Sequence, residues 1–184
     1  MSDQRIELGF ERTVCACVEC KRYCRFMPGV LIPSDLERLT QHLGYDNPVE
    51  FALDHLLASP GAVVMDQGQI RRVPTLVPAR SENGACHFLD EENRCRIHNI
   101  SPFGCSHIDH HQTREEASRR SSAAHYQIDL AWKNNYRYAR IWLLLKVLGR
   151  VAPSPEESRA RMGAATEPQD SSFTPQLNSE CDHE

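Results

Sequence analysis

The chain has no apolar run approaching the roughly 20 residues that a bilayer crossing requires. Its longest, Ile141 to Leu145 with Val147 and Leu148 beyond Lys146, is far too short. No glycine-rich phosphate loop, HExxH pair or nucleophile–base signature is present, so the common phosphate-binding and zinc-protease chemistries have no support. Nor does one sign of charge dominate. With 21 Lys+Arg against 25 Asp+Glu, the net charge is −4, which excludes a polycationic nucleic-acid coat and an acidic solvating chain. The N-terminal stretch Met1-Ser-Asp-Gln-Arg-Ile-Glu-Leu-Gly lacks an apolar signal core, so a cytoplasmic location is expected. Hydrophobic residues make up only 40%, because the C-terminal stretch is almost entirely polar.

What the chain does have is cysteine. Of eight, four stand at 15, 17, 20 and 24, three at 86, 95 and 105, and the last at 181. In a secreted chain this would read as a disulfide framework. In a reducing compartment disulfides rarely persist, and clustered thiolates are more often metal ligands. Chance scattering does not produce such clusters, and a redox pair at Cys17 and Cys20 would leave the other clustered cysteines unexplained. Cys17-Val-Glu-Cys20 can turn both sulfurs onto one ion. Metal binding is the better reading.

The chain divides into a polar lead-in (1–14), a cysteine-cluster domain (15–150) and an acidic tail (151–184) expected to be disordered. Residues 153–184 carry seven acidic and two basic side chains, leaving a net +1 for residues 1–152. Ser34 with Glu37 reads as a capping box opening a helix to Leu43. Asn47-Pro48 opens a second helix expected to run to residue 58. Between them and the later helices lie short β-prone runs. Residues 62–65 and 70–73 suggest a hairpin, and Thr75–Val77 a further strand. Ala85–Leu89 with Arg94–His98 suggest another hairpin, holding Cys86 and Cys95 on neighbouring strands. Thr113-Arg-Glu-Glu caps a helical tract reaching Leu148, with a break expected near Ser121-Ser122. The fold class is therefore α+β: a small metal-centred domain, mostly helical, with one or two short hairpins between helices.

The second cysteine group carries a family resemblance. Cys86-His-Phe-Leu, then Cys95-Arg-Ile-His-Asn-Ile-Ser-Pro-Phe-Gly-Cys105, resembles the YkgJ-type cysteine-cluster family, a zinc- or iron-chelating domain. Its members pair an N-terminal Cys-x-x-Cys-x-x-Cys-Cys cluster with such a segment. Cys17, Cys20 and Cys24 match the first part, and Cys86, Cys95, Pro102 and Cys105 the second. Tyr23 stands where the family often has cysteine, His98 where it has tyrosine, and Ser101 where it has arginine. Cys15 could restore the ligand count lost at 23. The resemblance implies metal chelation and supplies no reaction.

Seven clustered cysteines exceed one tetrahedral site. Two closed zinc sites would need Cys15, Cys17, Cys20 and Cys24 for one, and Cys86, Cys95 and Cys105 plus a histidine for the other. His87, His98 and His107 are near enough in sequence to serve. An iron–sulfur cluster would take four thiolates, such as Cys17, Cys20, Cys24 and one of the second group. Soft thiolates suit both, so the cofactor is an iron–sulfur cluster or zinc. His107, Asp109, His110 and His111 read first as a solvated polar loop and second as an open metal site. Cys181 is set aside with the tail. The basic run 112–150, net +5, reads as a solvated helix face before it reads as a phosphate-facing surface. The expected function is a metal-binding protein with an electron-transfer or redox role. A structural zinc module acting as an adaptor for a protein partner comes second, and a metalloenzyme third. No membrane or nucleic-acid partner is indicated.

Overall fold

The computed structural model describes residues 5–164, apart from 14, 67, 68 and 135. Two two-residue strands open the chain, β1 (Ile6–Glu7) and β2 (Phe10–Glu11), paired antiparallel across a tight turn. Three helices follow: α1 (Val18–Phe26), α2 (Pro33–His42) and α3 (Pro48–His55). A long hairpin, β3 (Leu56–Asp66) and β4 (Gln69–Pro78), comes next. Beyond it lie a 3₁₀ turn at His98–Ile100 and the short α4 (Phe103–Ser106). The helices α5 (Arg114–Asn134), α6 (Tyr136–Val147) and α7 (Pro155–Ala164) complete the described chain. Helices thus dominate the described residues, with one small antiparallel sheet before them and one among them, as the α+β expectation held.

Local chemistry explains most of these elements. Asn47 caps α3 by accepting from the backbone N–H groups of Val49 and Glu50, with Pro48 in the first turn. The cap of α2 falls two residues before the expected Ser34. Ile32 occupies the N-cap position, and its backbone N–H donates to the Asp35 carboxylate at 2.9 Å. Helix α3 ends at His55, short of residue 58. Pairing of β3 with β4, from Leu56↔Pro78 to Asp66↔Gln69, overrides helical continuation. Pro60 and Gly61 sit at a bulge between Ser59 and Ala62. Gly61 has φ +79°, and a Cβ there would meet the Val73 carbonyl oxygen at 1.7 Å, so only glycine fits. Thr75–Val77 is the continuation of β4 rather than a strand of its own.

Three expectations are corrected. The segment around Cys86 and Cys95 is not a hairpin: isolated bridges pair Arg80 with Cys86 and Leu89 with Cys95. Asp90 and Asn93 close tight local turns there and leave no ladder to extend. The long helical tract runs unbroken through Ser121-Ser122, both within α5. Residues 155–164, assigned to the disordered tail, form α7. Its start is a capping box in which Ser154 and Glu157 exchange hydrogen bonds of 3.1 and 2.6 Å. The remaining tail, with Cys181, lies outside the described residues.

One core joins the hairpin to the helices, with Leu31, Leu39, Phe51, Leu56, Leu76, Phe103, Ile128 and Leu145 fully enclosed. Tyr138 of α6 donates to the Leu31 carbonyl and accepts from the Leu76 N–H, both at 2.8 Å. Trp142 and Trp132 donate to the carbonyls of Ser59 and Pro74. These buried side chains each satisfy their polar end while filling apolar space, as buried Tyr and Trp must.

Candidate metal centre

Helix α1 starts at a cysteine. Cys17 is its N-cap, and Cys20 and Cys24 follow at three and seven residues along one face. Cys15 lies in the extended lead-in. That lead-in is held against the turn after Cys105, because the Thr13 N–H and hydroxyl both donate to the Ser106 carbonyl, at 2.6 and 2.9 Å. The same turn continues into His110 and His111. Asp109 accepts from the His111 N–H at 2.9 Å, and Gln112 donates to the His107 carbonyl at 3.0 Å. The turn so braced presents both imidazoles to the start of α1.

The result is a compact donor set. Ligand atoms of Cys15, Cys17, Cys20 and His111 all lie within 4.8 Å of one another. Cys15 Sγ is 3.0 Å and Cys17 Sγ 3.7 Å from His111 Nε2. His110 stands alongside, its Nδ1 3.3 Å from Cys20 Sγ and 3.8 Å from Cys17 Sγ, with its ring 3.8 Å from that of His111. Three thiols and an imidazole are a complete tetrahedral ligand set for zinc, and His110 offers a spare donor. The three cysteines are half-buried and His111 is exposed, so the group faces outward.

The other four clustered cysteines form a second, deeper group. Cys24 sits one helical turn beyond Cys20, and its backbone carbonyl accepts from the Cys86 N–H at 2.8 Å. Cys105 is brought in by a backbone crossing. Gly104 N–H donates to the Val30 carbonyl at 3.0 Å, and Gly29 N–H to Cys105 Sγ at 3.2 Å. A Cβ on Gly29 would lie 2.2 Å from Gly104, so the crossing tolerates no side chain at either position. Cys95 arrives through its bridge to Leu89. Charge on any of Cys24, Cys86, Cys95 and Cys105 would be felt by each of the other three. Burial pushes their thiols up, Cys24 to about 11 and Cys86 to about 12. Cys95 and Cys105 are raised for the same reason. Without a cation these sulfurs stay protonated at neutral pH; a bound metal would supply the missing positive charge.

A cavity of about 270 Å³ runs between the two groups, with Cys15, Cys20, Cys24, Cys86, Cys95 and Cys105 on its walls. Its size exceeds what one ion needs. Ligand chemistry and space thus both fit a soft metal at these residues.

A family of zinc- or iron-chelating domains matches the chain. The sequence model of CxxCxxCC, described as "putative zinc- or iron-chelating domain", covers residues 16–125. The chain belongs to the CxxCxxCC family. No curated protein and no solved structure matches it. The CxxCxxCC match takes in Cys17, Cys20, Cys24, Cys86, Cys95 and Cys105, while Cys15 lies just outside it. The CxxCxxCC spacing has Tyr23 in place of a cysteine here, and that side chain is exposed on α1.

The structure separates the candidate histidines. His98 lines the cysteine cavity, and burial lowers its pKa. His87 turns away: its Nε2 is 2.7 Å from His55 Nδ1, and His55 in turn meets the Tyr45 hydroxyl at 2.7 Å. His107 is fully enclosed, stacked on Phe103 at 4.5 Å with its Nδ1 2.9 Å from the Ser106 hydroxyl. Burial holds the imidazoles of His87 and His107 down to about 4, so both are neutral. His111, read from sequence first as part of a solvated loop, is the imidazole that joins the outer thiols. Its only signal in the sequence is the His-His pair five and six residues beyond Cys105.

Proposed function

We propose that the protein binds two metal centres: an outer Cys15/Cys17/Cys20/His111 site that takes zinc, and an inner Cys24/Cys86/Cys95/Cys105 site that fastens the fold. The outer donor set within 4.8 Å is the observation that carries this reading. Cys₃His is a ligand set of closed zinc sites. The outward position of His111 gives that ion a route for exchange, whereas the inner thiols pack against the apolar core. The chemistry a bound metal supplies is charge neutralisation and cross-linking. The residues keep the thiolates together and orient them through the Gly29–Gly104 crossing.

The test is elemental analysis and a visible spectrum on protein purified without oxygen, with Cys17→Ser and Cys86→Ser variants beside it. Two zinc per chain without colour, falling to one in Cys17→Ser, supports the reading. A metal-to-protein ratio unchanged by both substitutions sinks it.

A second reading has its own observation. The cavity of about 270 Å³ has room for more than one ion, and four thiolates are what an iron–sulfur cluster requires. Iron with acid-labile sulfide and a broad band near ~400 nm would assign the inner group to a cluster and give the protein an electron-transfer role, its potential set by burial and hydrogen bonds to sulfur such as that from Gly29.

A further inference from the structure

The outer thiols are placed for a second chemistry. Cys17 is the N-cap of α1, in extended backbone, and Cys20 stands three residues on in the first turn of that helix. Three steps along a helix separate Cα atoms by about 5 Å, inside the roughly 4.4–6.8 Å window that a disulfide spans. The ligand atoms of Cys15, Cys17, Cys20 and His111 lie within 4.8 Å of one another. Closing two of these sulfurs to a bond of about 2 Å is a matter of side-chain rotation and leaves α1 in place. A Cys17–Cys20 redox pair, insufficient by itself to explain seven clustered cysteines, is compatible with their binding a metal.

Access and surroundings agree. The three cysteines are half-buried and His111 is exposed, so a small oxidant reaches the sulfurs from solvent. Cys17 Sγ lies 3.8 Å from His110 Nδ1 and 3.7 Å from His111 Nε2, and Cys20 Sγ lies 3.3 Å from His110 Nδ1. An imidazole beside a thiol can take its proton and leave the reactive thiolate. Zinc has no redox chemistry of its own, so oxidation falls on its sulfur ligands. Joining Cys17 to Cys20 removes two of the four donors and two of the three thiolate charges. Cys15 and His111 are then too few to close a tetrahedral site.

We propose that the outer site is an oxidant-responsive zinc switch, in which a hydroperoxide joins Cys17 to Cys20 and the zinc is released. The inference rests on the zinc reading of the outer site. One of the two thiolates attacks the terminal oxygen of the hydroperoxide. A sulfur–oxygen bond forms, the oxygen–oxygen bond breaks, and the other oxygen departs as an alcohol, or as water from hydrogen peroxide, with a proton from solvent. The second thiolate attacks the sulfenic sulfur so produced. The disulfide forms, the sulfur–oxygen bond breaks, and hydroxide departs, protonated to water. The sulfur pair gives up two electrons and the peroxide accepts them. A dithiol reductant reverses the bond and returns both ligands.

The test treats the zinc-loaded full chain with hydrogen peroxide, follows zinc with a chromogenic chelator, and maps thiols by mass spectrometry after alkylation and trypsin. Cleavage after Arg12 and Lys21 gives one peptide, residues 13–21, that holds Cys15, Cys17 and Cys20 and no other cysteine. Release of about one zinc per chain is expected. The peptide should carry a Cys17–Cys20 link with Cys15 alkylated, and dithiothreitol with added zinc should undo both changes. Cys20→His keeps a zinc-binding donor but removes the partner of Cys17, and should release zinc at least about tenfold more slowly. Should that variant take up no outer zinc, Cys17→His replaces it. A zinc content before peroxide no higher than that of Cys17→Ser would overturn the zinc reading, and this inference with it. Zinc bound but retained under peroxide, release without the Cys17–Cys20 link, or a histidine variant as fast as the natural chain would each overturn the inference and leave the zinc reading standing.

Discussion

The two cysteine groups are built from different kinds of information. The outer group takes Cys15, Cys17 and Cys20 from six consecutive residues, and borrows one imidazole from a braced turn. The inner group draws one thiol from each of four places: α1, the two turns after β4, and α4. The outer sulfurs sit at a helix N-terminus near solvent; the inner ones join the apolar core, Cys86 among its buried members. A metal at either site would close one long loop, Cys20 to His111 at the outer and Cys24 to Cys86 at the inner, so unfolded-state entropy barely separates them. Burial does: an outer ion would face solvent through His111, while Cys24, Cys86 and Cys95 pack with the core. The same ligand type thus sits at the surface in one place and against the core in the other.

The largest expected effect tests that asymmetry. Cys86→Ser or Cys105→Ser should lower the melting temperature by about 10 °C or more, since several kcal/mol of metal-coupled folding energy is lost. Cys17→Ser or His111→Ala should remove one equivalent of metal and shift melting by only about 3 °C. Differential scanning calorimetry with metal analysis reads both. Equal losses of stability at the two groups would erase the distinction.

Next comes the buried carboxylate that positions α4. Asp35 is fully enclosed and accepts from the N–H groups of Ile32 and Phe103 at 2.9 and 2.8 Å, and from Arg5 and Arg38. Asp35→Asn would leave two guanidinium groups short of their countercharge and should cost about 3 kcal/mol in denaturant unfolding. Because α4 carries Cys105, inner-site metal affinity should fall with it, while outer-site binding holds.

Proton release sharpens the comparison further. The inner thiols are held above their ordinary value by burial, Cys24 at about 11 and Cys86 at about 12, and Cys20 of the outer group is raised by the same cause. Metal loading at pH 7 must therefore expel protons, and inner-site affinity should weaken as pH falls; calorimetry in buffers of differing ionisation heat counts them. The metal-free protein should behave oppositely. Its raised thiols favour the folded state fully below pH 9, and that contribution disappears as pH climbs through 11 to 12. The smallest effect is expected at the Arg72–Glu156 pair, exposed on both sides and 3.2 Å apart. Glu156→Ala should leave the melting temperature essentially unchanged, since exposed ion pairs contribute little.

Much of this was legible in the chain. The Asn47-Pro48 cap, the apolar stripe of Tyr138, Ile141 and Leu145, and the hairpin about residues 62–73 all follow from local chemistry. So does the Ser154-x-x-Glu157 capping box, although the acidic and proline-rich composition around it pointed to disorder. Helix α7 stands because tertiary contacts hold it: Arg22 donates to the Met162 carbonyl and Arg80 to the Ser158 hydroxyl. The strands expected at Cys86 and Cys95 were misread because alternating apolar residues resemble a strand even where Asp90 and Asn93 close the chain into turns.

By itself, the sequence determined that its clustered cysteines read as ligands for a soft metal, since thiolates in that spacing have few other uses. It also determined that Cys17, Cys20 and Cys24 share a helix face, because their spacing is helical. Only the tertiary structure decided how those three are divided. One turn of helix carries Cys24 away from Cys20 into the core, where the Gly29–Gly104 crossing and the Cys86 N–H meet it, while the Asp109-braced turn brings His111 to the others. Such partners lie between 62 and 96 residues apart in the chain, and no local periodicity encodes a contact made by two backbones that happen to be small enough to touch.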